Sequence, residues 1–297
     1  MNYLDFFHLK EQPFAGAVDS RFYFNSYQHA YALVKLKYAA EERKGLAVLE
    51  GGIGTGKTTL ARRMLEELDE SRFEAALLVI IHTAISSTWL LRKVAVQLGI
   101  ENPVEEKTVL LGQLYDRLVE IYDSGRRAVV LIDEAQMLQS KDLVEEIRGL
   151  LNIEIDNQKL ITFILFGLTN LDSYLVLDKP LQQRIAVRYQ LQSFTQKVTS
   201  DYIRYRLEIA GTTKELFTHT ALAAIHHYSN GIPRLINNIC DNALFEGFLQ
   251  KKEMVSDDTI REVVSDLKLI DQVPPMPIGV VEPVRNLSSL STEEPSY

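Results

Sequence analysis

The chain has 297 residues, 46% hydrophobic, 24% charged and 9% aromatic, a globular balance with apolar mass for one large core or two modest ones. No uninterrupted apolar run approaches the ~18 residues that cross a bilayer, and a single cysteine, Cys240, excludes an intrachain disulfide framework and fits a reducing compartment. The formal net charge is −8, of which residues 271–297 carry −3; the remaining body, about −5, is a poor electrostatic match to nucleic acid.

The opening Met-Asn-Tyr-Leu-Asp lacks a basic stretch followed by an apolar one, so no export signal is expected and the chain is placed in the cytoplasm. Residues 1–25 are aromatic and irregular (Phe6, Phe7, Phe14, Phe22, Tyr23, Phe24) and are expected to pack as a loop on the main core. From Tyr27 to Arg43 the apolar positions Ala30, Leu33, Val34, Leu36 and Tyr38 recur at helical spacing. Short apolar runs at 46–50, 77–81, 128–132, 160–166 and 187–191 then alternate with helical stretches. That alternation predicts a parallel sheet wrapped by crossover helices over residues 26–192.

Beyond Phe194 the pattern is helical, with helices expected at 199–210, 218–228, 233–250 and 256–269 in a second unit, 193–270. Gly211 would stop the first, Pro233 suits the first turn of the third, and Ser256 would cap the last ahead of Asp257 and Asp258. Residues 271–297 hold five prolines and few apolar residues and read as a flexible tail.

Leu46 to Leu60 carry the chemistry. Gly51, Gly52, Ile53, Gly54, Thr55, Gly56, Lys57 and Thr58 fit G-x-x-x-x-G-K-[ST], with Thr59 following. An apolar strand delivers the chain, and glycines let backbone N–H groups curl round an anionic phosphate. Lys57 reaches the β- and γ-phosphates, and Thr58 opens a helix and ligates Mg²⁺. An amphipathic helix (Leu60, Met64, Leu65, Leu68) follows, the context this motif needs. Further on, Ala128 to Glu134 is an apolar strand ending in two acids. Asp133 would hold Mg²⁺ through its water shell, and Glu134 would orient or deprotonate the attacking water. A glutamate at that place favours hydrolysis of ATP over binding alone.

Together with their surroundings these motifs resemble the GspA/ExeA-type family of AAA+ ATPases, associated with type II secretion and with type IV and MSHA pilus biogenesis (the pilus protein MshM among them). The resemblance runs from about Tyr3 to Leu269. It rests on Phe7-His-Leu-Lys-Glu-Gln-Pro-Phe14, Glu41-Glu-Arg-Lys-Gly45, Asp133-Glu-Ala-Gln136, Glu145-Glu-Ile-Arg148, Leu181-Gln-Gln-Arg-Ile185 and Gly231-Ile-Pro-Arg-Leu-Ile-Asn237. It implies a three-layer α/β P-loop NTPase domain followed by a helical lid, working as a homo-oligomer with a protein partner in secretion or pilus machinery at the inner membrane. It further implies that Arg184 is an arginine finger for a neighbouring subunit, that Arg234 is the sensor-2 arginine of the lid, and that Pro13 and Phe14 pack near the adenine. Fixed guanidinium forks suit the charge on a transferring phosphoryl group.

Two departures stand out. Where the family places Gly-Gln-Pro-Glu-Leu this chain has Gly167-Leu-Thr-Asn-Leu171, leaving the sensor-1 role open between Thr169 and Asn170. Long members continue into a membrane helix and a peptidoglycan-binding domain, so no cell-wall role is expected here. Two other readings remain: a DNA-loading adaptor of the transposition type, which net acidity opposes, and a slow nucleotide-gated switch, which Glu134 opposes. His226-His227 lacks acidic or thiol partners at ligand spacing, Cys240 reads as a small buried hydrophobe, and Trp89 as a packing residue.

Overall fold

The computed structural model describes residues 2–16, 19–175 and 178–269. Its centre is a parallel sheet of five strands: β1 (Leu46–Gly51), β2 (Phe73–Val79), β3 (Arg127–Asp133), β4 (Ile161–Gly167) and β5 (Ile185–Leu191). They lie in the order β2-β3-β4-β1-β5. Helices α1 (Tyr27–Glu41), α2 (Lys57–Glu67), α3 (Ser87–Gln97), α4 (Lys107–Asp123) and α5 (Lys141–Leu150) cover the sheet.

Strand periodicity divides the interior into two halves. Val130, Ile132, Phe163 and Leu165 face α3, α4 and α5 in one cluster. Their neighbours Val129, Leu131, Ile164 and Phe166 face α1 and α2 in another. Central strands covered on both faces need near-continuous apolar sequence, and β1, β3 and β4 show it over Leu46–Leu49, Ala128–Ile132 and Phe163–Phe166. Edge strand β5 alternates between half-buried and exposed positions and starts two residues before the run expected at 187–191. Strand β2 starts four residues earlier than its apolar run suggests, because Glu74 at its start is held by Arg126 (2.7 Å) and Arg117 (3.3 Å).

Helices α6 (Gln196–Ile209), α7 (His219–Ser229), α8 (Pro233–Leu249) and α9 (Asp257–Asp266) form the second unit around their own core. Most of the aromatic N-terminal segment belongs to this core, and only Tyr23 packs on the sheet side. Phe7, Leu9, Phe14 and Phe22 are buried among the lid residues, and Lys10 N–H donates to Ala210 O at 2.8 Å. The segment therefore straps the lid before the chain enters α1. Ser256 precedes α9 without a side-chain capping bond, contrary to expectation. The predicted tail, 271–297, lies outside the described residues.

Candidate active site

Strand β1 points its C-terminal end into the glycine loop, and α2 begins directly at Lys57. Gly54 and Gly56 adopt φ of +78° and +100°. A Cβ on Gly54 would come within 2.8 Å of Arg234 Cβ, and one on Gly56 within 3.0 Å of His29 Nε2. A Cβ on Gly51 would meet Thr55 Oγ1 at 2.7 Å. The loop is thus packed on its rear side, leaving its front to the cavity.

Lys57 is 6% exposed, and its Nζ donates to Gly51 O (3.0 Å) and Gly52 O (2.9 Å). Burial lowers its basicity, Arg234 adds to that, and Glu134 and Asp133 oppose it. The ammonium is therefore not solvent-facing, as a free glycine loop would leave it, but stored against its own loop. Thr58 Oγ1 donates to Asp133 Oδ2 at 2.6 Å across the top of the sheet. Asp133 is 1% exposed, and burial pushes its carboxyl up despite bonds from Thr58 and the Glu134 N–H.

Glu134 sits at φ 56°, ψ 38°, a left-handed conformation rare outside glycine. Such strain persists where the surroundings over-determine it. Here Gln136, 5% exposed, donates through Nε2 to Glu134 Oε2, while its Oε1 accepts from Leu168 N–H at 3.1 Å. Gln136 therefore ties the acid to the loop leaving β4. In that loop Leu168 lines the cavity, whereas Thr169 and Asn170 are exposed and do not.

Arg234 opens α8, donates its backbone N–H to Gly54 O at 3.3 Å, and lines the same cavity. That cavity, about 610 Å³, runs from Ile53 to Thr59 past Glu134 and Gln136 to the lid. Gly51, Gly52 and Asp133 stand behind its wall. Pro13 and Phe14 do not line it: both are buried, and Phe14 meets Phe217 edge-on at 6.4 Å in the lid core. Rings that do line it are Phe22, Tyr23 and Phe24, later in the same segment. Arg184 is likewise absent from this cavity; it is half-buried just before β5, and its Nη1 is buried without an acceptor.

Sequence reasoning missed His29. It is 4% exposed on α1, its Nδ1 facing Ser26 Oγ (2.7 Å) and its Nε2 donating to Thr55 O (3.2 Å). Burial holds this imidazole below its ordinary basicity, so it stays neutral with the proton on Nε2. It fixes the peptide that turns into Gly56. Ser26-x-x-His29 at a helix start was the only signal.

The glycine loop with Lys57, the Thr58–Asp133 pair at the ends of β1 and β3, and a helical unit returning Arg234 to the loop together define the AAA+ class of P-loop NTPases. Residues 40–175 match the family model described as an AAA domain. The chain is 36% identical over 249 residues to General secretion pathway protein A of Aeromonas hydrophila, an alignment covering 83% of this chain and 45% of that protein. It thus spans about half the length of this curated relative. Among solved structures it resembles the ORC2 protein of Aeropyrum pernix (TM-score 0.63, 17% identity, 86% of this chain and 72% of that one). It also resembles the RuvB branch migration motor of Thermotoga maritima (TM-score 0.54, 21% identity, 80% and 69%). At such identities these two speak to the fold alone. The chain belongs to the GspA/ExeA-type family of AAA+ proteins. Among the described residues no helix is long and apolar enough to cross a membrane, and no cluster of three or more His, Cys, Asp or Glu could hold a metal.

Proposed function

We propose that the chain hydrolyses ATP to ADP and phosphate with Mg²⁺, and that turnover drives assembly or remodelling of a secretion or pilus machine. One observation carries the chemical reading: Thr58 and Asp133 meet at 2.6 Å with Glu134 next in chain and Lys57 and Arg234 on the same cavity. The donor set suits the ion, since a hydroxyl and a carboxylate are hard oxygen ligands of the kind Mg²⁺ takes, with no imidazole or thiolate among them. The glycine cradle suits the triphosphate, because a Cβ at Gly51, Gly54 or Gly56 would clash behind the loop and force it out of this curl.

In this reading Thr58 and Asp133 would hold Mg²⁺, which would supply positive charge against the phosphates. Gly51 to Thr59 cradle the phosphates with backbone N–H groups, and Lys57 turns from the Gly51 and Gly52 carbonyls to the γ-phosphate. Glu134 accepts the proton of the attacking water, held in aim by Gln136. Arg234 places positive charge on the transferring phosphoryl group from the same chain's lid, and Arg184 does so from a neighbouring subunit. Sensor 1 falls to Thr169 or Asn170 if the loop after β4 turns inward.

The cellular half rests on the relative's role in general secretion and extends to this chain by kinship. Glu134→Gln tests the chemistry: the variant should bind ATP and turn it over at least ~100-fold more slowly. A kcat within about threefold of the parent would remove Glu134 from the reaction.

A further inference from the structure

Lid helix α6 carries a buried cation that none of the phosphate-binding motifs explains. Arg206 is 6% exposed, and among the described residues it has no ion-pair partner. Asp19, whose carboxyl feels its charge, is instead bound to Arg21 at 2.6 Å. Arg206 Nη1 donates to the Tyr202 hydroxyl at 2.8 Å, and its Nε is buried with no acceptor. Rings of Phe22 and Tyr202 lie 4.9 and 5.6 Å from its guanidinium carbon. Buried arginines are ordinarily paired, because an unpaired charge in the interior is costly. This one is held by ring faces and one hydroxyl, and it lines the cavity into which the glycine loop opens.

Polarity along the network follows from its first member. Arginine only donates, so the Tyr202 oxygen accepts from it. The Tyr202 proton must then go to Asn237 Oδ1, 2.8 Å away. That leaves the Asn237 amide nitrogen with its donors free. All three side chains line the cavity. Asn237 lies one helical turn, ~5 Å, beyond Arg234 on α8, so the network stands further from the phosphate loop than Arg234 does, among aromatic rings.

We propose that Arg206, with Tyr202 and Asn237, reads the base of the nucleotide: the guanidinium donates to an acceptor nitrogen of a purine ring seated against these rings. This rests on the nucleotide reading above and adds the group that recognises the base. The free donors of Arg206 and Asn237 match an acceptor nitrogen of the ring. The base also gives the guanidinium a second acceptor beside the Tyr202 hydroxyl, so occupancy of the pocket and order in the lid rise together.

Calorimetric titration of the whole chain with ADP, tripolyphosphate and 1-deaza-, 3-deaza- and 7-deaza-ADP tests this. One of the three deaza analogues should bind about tenfold or more weaker than ADP, the loss expected for a bond to a charged donor. In Arg206→Met that difference should vanish while tripolyphosphate affinity holds. Three analogues binding as tightly as ADP would overturn the proposal and leave the nucleotide site standing. Loss of tripolyphosphate affinity in Arg206→Met would overturn it too, by moving the arginine to the phosphates. No ADP binding at all would defeat both readings. The analogue series uses the unaltered chain, so it decides the matter even where Arg206→Met fails to fold.

Discussion

Asp133 and Lys57 show at the scale of single residues what the site costs the fold. Both are almost fully covered, and burial disfavours the charged form of each. For Asp133 the folded-state pKa lies above its unfolded value. The folded chain therefore holds the proton more tightly, and stability falls as pH rises from the unfolded pKa to the folded one, then levels. Asp133→Asn removes that penalty. In the absence of nucleotide the variant should melt with the parent at acidic pH and a few degrees above it at neutral pH, while losing Mg²⁺-dependent ATP binding. A melting-temperature series against pH checks this; a variant less stable than its parent at neutral pH would show that the bonds from Thr58 and the Glu134 N–H outweigh desolvation. Lys57→Ala carries a related expectation. The Gly51 and Gly52 carbonyls lose their donor, so loss of ATP binding should come with a small change in stability, and circular dichroism of the variant must accompany any activity assay.

Among elements, sheet and lid are joined where Phe194 meets Gly231. Phe194 leaves β5 for α6 and donates its N–H to Gly231 O at 2.8 Å, and Gly231 at φ +68° leads into α8. A Cβ on Gly231 would stand 2.0 Å from Phe194 O, so no side chain fits without moving one element. Gly231→Ala should cost about 2–4 kcal/mol and weaken nucleotide binding, because the N-terminus of α8 carries Arg234. Chemical denaturation and ADP titration on one sample would measure both, and unchanged stability would show the junction to be pliable. Contiguous pieces of this architecture were legible in sequence: β1, its glycine loop and the head of α2 form one run, and each central strand holds an apolar run of four or five residues. Edge strands were blurred, since β5 needs only one covered face. The N-terminal phenylalanines were assigned to the main core because nothing local distinguishes a sheet-facing phenylalanine from a lid-facing one; Tyr23 does pack on the sheet side. His29, Tyr202, Arg206 and Asn237 reach the pocket from three helices far apart in the chain, and only the fold brings them together.

At the scale of the whole molecule, the role proposed for Arg184 bears on whether one chain can complete the reaction. In the parallel sheet Ile185 is level with Leu46 at the start of β1, while Gly51 is level with Leu191 at its end. Arg184 therefore stands at the opposite end of the sheet from its own glycine loop, five strand residues or ~17 Å away, farther than an arginine side chain extends. Any phosphate it serves must belong to another copy. Arg234, packed on Gly54, can serve only its own. The two arginines then predict different behaviour on mixing. Arg184→Ala combined with Lys57→Ala should regain activity, because an intact loop in one chain meets an intact Arg184 in the other. Arg234→Ala combined with Lys57→Ala should regain none, since neither chain then has a complete loop and lid. An arginine supplied in trans is worth ~10³-fold or more in rate, so even a minority of productive interfaces should show above either variant alone. Specific activity of the parent should also rise with protein concentration. Absence of rescue in the Arg184 mixture, with specific activity independent of concentration, would return Arg184 to a structural role and make the single chain the working unit.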